Sequence, residues 1–110
     1  MTELQQKFAE NVGKLIAYAY ANGMAFTFGD AWAKTGHMAN SLHYERLAVD
    51  FNLFVEDKWI VNDAGDTSAW DELAGYWKSL DPLNRWGGDI KDKVDLNHFS
   101  MATSTTDNRI

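Results

Sequence analysis

The 110-residue sequence has no cysteine, a single proline and no long apolar run. Because cysteine is absent, disulfides cannot hold the fold together, and any metal site must use histidine and carboxylate ligands. No stretch approaches the ~20 apolar residues that a membrane span needs, so we expect no membrane insertion. The N-terminus lacks the basic start and apolar run of a secretion signal. We therefore expect synthesis in the cytoplasm without a signal peptide.

The charge balance is acidic, with a formal net charge of -6 at pH 7 and no visible basic stripe. A nucleic-acid partner held through phosphate contacts is therefore not expected. A hydrophobic fraction of 45% with five tryptophans is ample for one packed core. We predict a monomer with a single domain over residues 1–102, followed by a polar tail over residues 103–110 that frays.

Two helices are predicted from apolar residues that recur at helical spacing. Thr2 followed by Gln5 indicates a capping box at the start of the first helix, and Gly23 marks its end. Ser68 is predicted to cap the second helix. The apolar stripes contain Leu4, Phe8, Val12, Leu15, Ile16 and Ala19 in the first helix, and Trp70, Leu73, Ala74, Trp77 and Leu80 in the second.

Strands are predicted at residues 24–28, 47–54, 58–61 and 97–101. The segment 47–54 gives the clearest pattern, because large aliphatic side chains alternate there with small or polar ones. Asp50 therefore lies on the face of this strand opposite the aliphatic row.

The connecting segments are predicted from their polar or glycine-rich composition. Residues 29–40 indicate a loop with at most one helical turn, and residues 62–66 indicate a polar loop. The run Trp86-Gly87-Gly88-Asp89 is predicted to be a tight loop whose glycines allow backbone angles closed to other residues.

Two histidines and an aspartate from distant segments have the chemistry of a metal-ligand set. His43 and Asp50 can converge if the chain turns between them, and His98 lies on a predicted neighbouring strand. Two imidazoles and one carboxylate suit zinc, whereas calcium and magnesium prefer all-oxygen shells. Such a set leaves one position open for water. The alternative is that the histidines are incidental to the fold.

Asp95 stands three residues before His98 and is a candidate for moving a proton at such a site. The competing interpretation is an exposed carboxylate in a turn. A single histidine in a small domain is usually a surface residue or a satisfied core residue. His37, in a polar loop without an obvious partner, is assigned to that class.

Three motifs follow one another in order: Ser41-x-His43-x-x-x-x-Ala48-x-Asp50, Trp86-Gly87-Gly88-Asp89 and Asp95-x-x-His98-Phe99. They resemble the D-alanyl-D-alanine carboxypeptidase and L-alanyl-D-glutamate endopeptidase family. These are zinc peptidases of bacterial cell walls and phage endolysins, related in fold to lysostaphin and the Hedgehog signalling domain. The resemblance runs over about residues 23–99.

The resemblance implies a fold and a set of roles. The fold would be a small α+β domain with an antiparallel sheet packed against helices. His43, Asp50 and His98 would bind one zinc ion, and Asp95 would be the catalytic acid/base.

Two departures from the family pattern concern the substrate site. The family often has glycine where this chain has Arg46. The family usually carries an arginine near residues 30–34 that steadies a substrate oxygen, and this chain has none there. Lys34 or Arg46 is the candidate replacement, or the activity is weakened. Arg46 shares the parity of Asp50 along the predicted strand and would then face the cleft. A surface arginine paired with a neighbouring glutamate is the alternative.

Two further residues have an open role at the substrate site. Ser41 either hydrogen-bonds the substrate or fixes the turn before His43. Trp86 either contacts the substrate or packs in the core beside the site, and the core position is favoured.

The resemblance implies a zinc-dependent peptidase that cuts the peptide stem of bacterial peptidoglycan, as an L-alanyl-D-glutamate endopeptidase or a D,D-carboxypeptidase. Without a signal peptide, such an enzyme would act on the wall as an endolysin released through a holin-type pore. The alternative function is a non-catalytic module that binds zinc and wall peptide, which the missing arginine supports.

Overall fold

The computed structural model describes residues 1–62 and 65–110 of the chain. It contains two helices, α1 (Thr2–Ala21) and α2 (Ser68–Leu80), and a five-stranded antiparallel sheet. The predicted α+β class is therefore confirmed. No described helix combines the length and the apolar character needed to cross a bilayer.

The sheet is organised around its longest strand, β2 (Ala48–Val55). β1 (Met24–Phe28) pairs with β2 over residues 51–55. The short strand β3 (Lys58–Ile60) returns from a hairpin and pairs with residues 53–55 of β2. The predicted strand positions are thus confirmed to within one residue at each end.

The first half of β2 pairs with the last strand of the chain. β5 (His98–Met101) is antiparallel to residues 48–50, and β4 (Asn84–Trp86) pairs with β5 on its other side. Sequence analysis missed β4, because three residues with mixed polarity carry no readable period. This pairing brings the C-terminal motif beside the central one.

The core lies between the helices and the inner face of the sheet. The alternating residues of β2 divide as predicted: Val49, Phe51 and Leu53 are buried in the core, whereas Asp50 is half-buried on the other face. Trp77 of α2 ties the helix to the sheet, since its indole Nε1 donates to the carbonyl oxygen of Arg85 at 2.9 Å. The opposite face of β2 carries the polar residues Asp50 and Asn52.

Both predicted helix caps are wrong. Thr2 and Ser68 are the first helical residues of α1 and α2, and neither side chain caps its helix. The side chain of Gln5 instead donates to the carbonyl oxygen of Glu45 at 2.9 Å. Ser68 donates through both its backbone N–H and its hydroxyl to Asp66 Oδ1. Other partners, one of them distant in sequence, have displaced the local capping pattern.

Two loop predictions have different outcomes. The segment between β1 and the His43 motif contains no helical turn and is a loop throughout. The predicted polar loop at residues 62–66 includes residues 63 and 64, which lie outside the described part of the chain.

The polar tail after β5 is folded onto the domain, so the prediction that it frays is wrong. Arg109 makes an ion pair with Glu45 and donates to the carbonyl oxygen of Asn40 at 3.2 Å. Arg85 of β4 donates to the backbone oxygens of Asp107 and Arg109. These contacts hold the tail against the segment that contains His43.

Candidate metal centre

His43 lies in a short 3-10 helix, Leu42–Glu45, immediately before β2. The Ser41 hydroxyl accepts a hydrogen bond from the His43 backbone N–H at 3.2 Å and thereby fixes the start of this turn. This contact supports the structural role of Ser41, and because Ser41 also lines the cleft described below, its contact with substrate stays a prediction. The His43 side chain is almost fully buried, with 2% of its surface exposed.

Asp50 and His98 are direct partners in the β2–β5 ladder. Residues opposite each other on neighbouring strands project their side chains to the same face of the sheet. Asp50 Oδ1 consequently lies 3.1 Å from His98 Nδ1 and 3.2 Å from His43 Nε2. The structure therefore brings together the three residues that the sequence predicted as metal ligands.

These distances fit a single tetrahedral ion. Ligand atoms about 2.0–2.2 Å from a tetrahedral zinc ion stand roughly 3.3–3.6 Å apart, slightly farther than these two distances. The three residues offer one ligand atom each, and all three atoms lie within 4.8 Å of one another. The cluster His43, Asp50 and His98 can therefore hold a metal ion, with two nitrogens and one oxygen as donors.

The electrostatics of the cluster favour a charged Asp50. Burial alone raises the pKa of the Asp50 carboxyl, but hydrogen bonds from His43 and His98 more than offset it and lower the pKa to about 2. Asp50 is thus a carboxylate at neutral pH, which is the form that binds cations.

The outer ring nitrogens, His43 Nδ1 and His98 Nε2, are buried without a hydrogen-bond partner among the described residues. Metal-binding histidines usually donate this nitrogen to a carbonyl or carboxylate. Here ring contacts supply the orientation instead. The His43 and His98 rings meet edge to face at 5.0 Å, and His37 stacks on His43 at 4.1 Å with an interplanar angle of 17°.

His37 is therefore not the unpartnered loop residue that the sequence suggested. Its Nε2 lies 2.8 Å from the Asp30 carboxylate, and the Tyr44 hydroxyl bonds both its backbone N–H and its carbonyl oxygen at 2.8 Å. Asp30 is itself fixed beside the metal cluster, since its carbonyl oxygen accepts from the Asp50 N–H at 2.8 Å. No periodic or motif signal in the sequence announces this arrangement.

Asp95 lies in the turn that precedes β5 and is half-buried rather than exposed. Its carbonyl oxygen accepts from the His98 N–H at 3.2 Å, and its N–H donates to the Gly87 carbonyl oxygen at 3.0 Å. Asp95 Oδ1 accepts from the side-chain amide of Asn62 at 2.9 Å. The carboxylate is thus held in place beside a metal-ligand candidate.

A cleft of about 780 Å³ lies against the cluster, and His43, His98 and Asp95 all line it. Residues 36–42 form one wall, and residues 108–110 of the folded-back tail form another. This is room for several residues of an extended peptide. The proton-transfer candidate and two ligand candidates face the same space.

The two candidate replacements for the missing arginine lie elsewhere on the described surface. Arg46 has left-handed backbone angles (φ 59°) and precedes β2, so the prediction that it shares the strand parity of Asp50 is wrong. Its guanidinium lies 4.7 Å from the centre of the Trp32 ring, and the Lys34 ammonium lies 5.6 Å from the same centre. Neither is among the described residues that line the cleft.

Trp86 occupies the core position that was favoured for it. It is 6% exposed, and its indole Nε1 donates to the carbonyl oxygen of Leu96 at 2.7 Å. It therefore supports the turn that carries Asp95.

The sequence model of a family described as D-alanyl-D-alanine carboxypeptidase matches residues 34–101, which is more than half of the chain and contains every residue of the cluster. The chain belongs to this peptidase family. The metal-ligand candidates of this family member are His43, Asp50 and His98. No individually curated protein sequence matches the chain.

A solved structure supports the fold of this family member. The crystal structure of the Serratia marcescens L-Ala D-Glu endopeptidase ChiX is similar over 92% of this chain and 85% of that chain, with a TM-score of 0.62 and 14% sequence identity. At that identity the likeness concerns the fold alone. The α+β architecture is thus shared with an L-Ala D-Glu endopeptidase.

Proposed function

We propose that this protein is a zinc-dependent peptidase that hydrolyses an amide bond in the peptide stem of bacterial peptidoglycan. The observation that carries the proposal is the convergence of His43, Asp50 and His98, in a member of a peptidase family, at a cleft that Asp95 also lines. A binding site without chemistry has no need of a fixed carboxylate beside the metal ligands.

Zinc at this site would act as a Lewis acid that polarises a carbonyl group and acidifies water. The chain's own part is to hold Asp95 at the cleft, where its carboxylate accepts a proton from water and returns it to the leaving amine. His43 and His98 are fixed by burial and ring contacts, and Asp50 is fixed by the β2–β5 ladder. These four side chains therefore hold their positions before any substrate binds.

The volume of the cleft and the family of the chain support a peptide stem as the substrate. An open cleft of this volume accommodates a branch of a polymer as well as a free peptide. Two bonds of the stem are candidates. The name of the ChiX structure indicates the L-Ala-D-Glu bond, and the description of the family indicates the terminal D-Ala-D-Ala bond. Action on the wall after holin-type release, as for a phage endolysin, is part of the proposal.

The test compares the intact protein with Asp95→Asn, which keeps the shape and the acceptor oxygen of the side chain. We expect the purified protein to contain one zinc ion and to clear a suspension of permeabilised Gram-negative cells. Asp95→Asn should keep the zinc and lose about 10²–10⁴-fold of the rate, the range for general acid–base groups. Mass spectrometry of the released peptides then identifies the bond that is cut.

One observation favours a second candidate function, a module that binds zinc and wall peptide without cleaving it. Lys34 and Arg46 lie over the Trp32 ring and do not line the cleft, so neither takes the place of the missing arginine. Lys93 and Arg109, however, do line the cleft. Zinc binding and retention on peptidoglycan without clearing, by both variants, would support the module. Equal clearing by both variants would remove Asp95 from the mechanism.

A further inference from the structure

We propose that Asn62 is a positioning residue that aims the Asp95 carboxylate into the cleft. The inference rests on the proposed function, in which Asp95 moves a proton. Asn62 follows β3 and lies more than thirty positions before its partners in the sequence. Nothing in the motifs that led to the metal cluster includes it.

The Asn62 side chain spans three consecutive residues of the turn before β5. Its Oδ1 accepts from the Leu96 N–H at 2.8 Å. Its Nδ2 donates to Asp95 Oδ1 at 2.9 Å and to Asn97 Oδ1 at 3.1 Å. Both ends of the amide are therefore used, and its orientation is determined by the turn that it holds.

The other contacts of this turn fix the backbone but leave the Asp95 side chain free to rotate. The Asp95 N–H donates to Gly87, and its carbonyl oxygen accepts from His98. Among the described residues, Asn62 supplies the side-chain hydrogen bond of Asp95. One carboxylate oxygen is thus held, and the second is left for a proton.

The chemistry of an amide suits this task. An amide N–H donates to a carboxylate without carrying a charge, so it orients Asp95 without a competing ion pair. A catalytic carboxylate must be held in a productive geometry by groups that are themselves fixed. Asn62 meets that requirement, because its Oδ1 is anchored on the backbone of the adjacent residue.

The experiment measures initial rates of amine release from purified Gram-negative peptidoglycan over a range of concentrations. In Asn62→Ala we expect kcat to fall about 10–100-fold, by analogy with the loss on removing partners that orient metal ligands. The apparent KM and the zinc content should not change. Asn97→Ala is the matched control, since it removes the other acceptor of the same amide and should leave kcat within about twofold.

Two further variants separate positioning from mere support of the loop. Asn62→Asp keeps an acceptor for the Leu96 N–H but places an oxygen against the Asp95 carboxylate, so kcat should fall at least as far. In an Asp95→Asn background, Asn62→Ala should cause no further loss, because residues that act as one unit are not additive. If Asn62→Ala does not fold, Asn62→Asp decides the question.

An unchanged kcat in the folded Asn62 variants would overturn the proposal. The proposal would also be overturned if Asn62→Ala lowered kcat by the same factor in the intact protein and in the Asp95→Asn background. Asn62 would then act on the loop alone. Full activity of Asp95→Asn itself would instead count against the proposed function. The two failures are therefore distinguishable in one set of assays.

Discussion

The metal cluster and the rim of its cleft are built in different ways. His43, Asp50 and His98 are attached to a capped 3-10 turn and to two paired strands. The rim consists of residues 36–42 and 108–110, which belong to no regular element except for Leu42. The first region is fixed by backbone ladders, whereas side-chain contacts such as those of Arg109 fix the second.

The difference shows which part of a site can diverge without loss of the chemistry. Ladder hydrogen bonds place Asp50 opposite His98 whatever the side chains of the rim are. A few charged side chains, in contrast, decide where the rim lies. We therefore expect changes in the cluster to remove the metal and changes in the rim to alter substrate binding.

The strongest test of the cluster is Asp50→Asn. The amide is a poorer metal ligand than the carboxylate, so zinc content should fall to background and activity by at least about 100-fold, the upper range for altering groups that only support ligands. Zinc analysis and peptidoglycan clearing measure the two effects. Asn52→Ala, two residues along the same face of β2, is the control that should keep both.

Gly87→Ala should act next most strongly, because residue 87 lies against the turn that carries Asp95 and leads into His98. A Cβ at Gly87 would overlap the Asp95 carbonyl oxygen and lie 2.8 Å from His98 Cβ. Overpacking of this kind costs about 1–3 kcal/mol in the free energy of unfolding. Urea denaturation measures it. Gly75→Ala, on the open surface of α2, should instead stabilise by up to about 1 kcal/mol.

Arg109→Ala tests the rim with a smaller expected effect. The tail loses its ion pair with Glu45 and its bond to the Asn40 carbonyl, so the wall formed by residues 108–110 should loosen. We expect the apparent KM for peptidoglycan to rise severalfold while zinc content stays unchanged. Lys7→Ala removes another ion pair, with Asp81. An equal rise of the apparent KM in Lys7→Ala would show that the rim has no specific role in binding peptidoglycan.

The smallest expected effect is that of acid on Asp107, the tail residue just before the rim residues 108–110. Hydrogen bonds from the Arg109 guanidinium and from Thr103 hold the pKa of Asp107 well below its usual range despite burial. The stabilisation is complete above the unfolded pKa of about 3.9 and is lost as the pH falls below it. The stability difference between the intact protein and Asp107→Asn should therefore shrink between pH 7 and pH 3. A constant difference would exclude the ion pair as its source.

The parts that sequence analysis predicted correctly share a physical basis. The alternation in β2 and the stripe of α2 follow from periodic burial, and Asp50 was placed on the correct face for that reason. His43 and His98 were found through donor chemistry and motif spacing. These signals are local or repeat along the chain, so they can be read without knowing the fold.

The parts that were missed depend on contacts that the tertiary structure creates, some across seven residues and some across more than thirty. His37 gains its place from Asp30 and Tyr44, and Asn62 from a turn over thirty residues later. The capping box at Thr2 failed because Gln5 bonds Glu45 instead. In each case a polar side chain has several possible partners, and the tertiary structure selects among them.

The sequence predicted that Gly87 and Gly88 allow backbone angles closed to other residues. The close contact between Gly87 and the Asp95 carbonyl oxygen gives a different reason for the glycine at position 87. Positive φ angles among the described glycines occur at Gly23 and Gly36, so Gly87 is needed for space and not for an unusual backbone angle. The Trp-Gly-Gly-Asp and Asp-x-x-His segments form one interlocking joint, and a larger residue at position 87 requires a rebuilt turn at residues 95–98. Transfer of this candidate site to another scaffold would require both segments to be moved together.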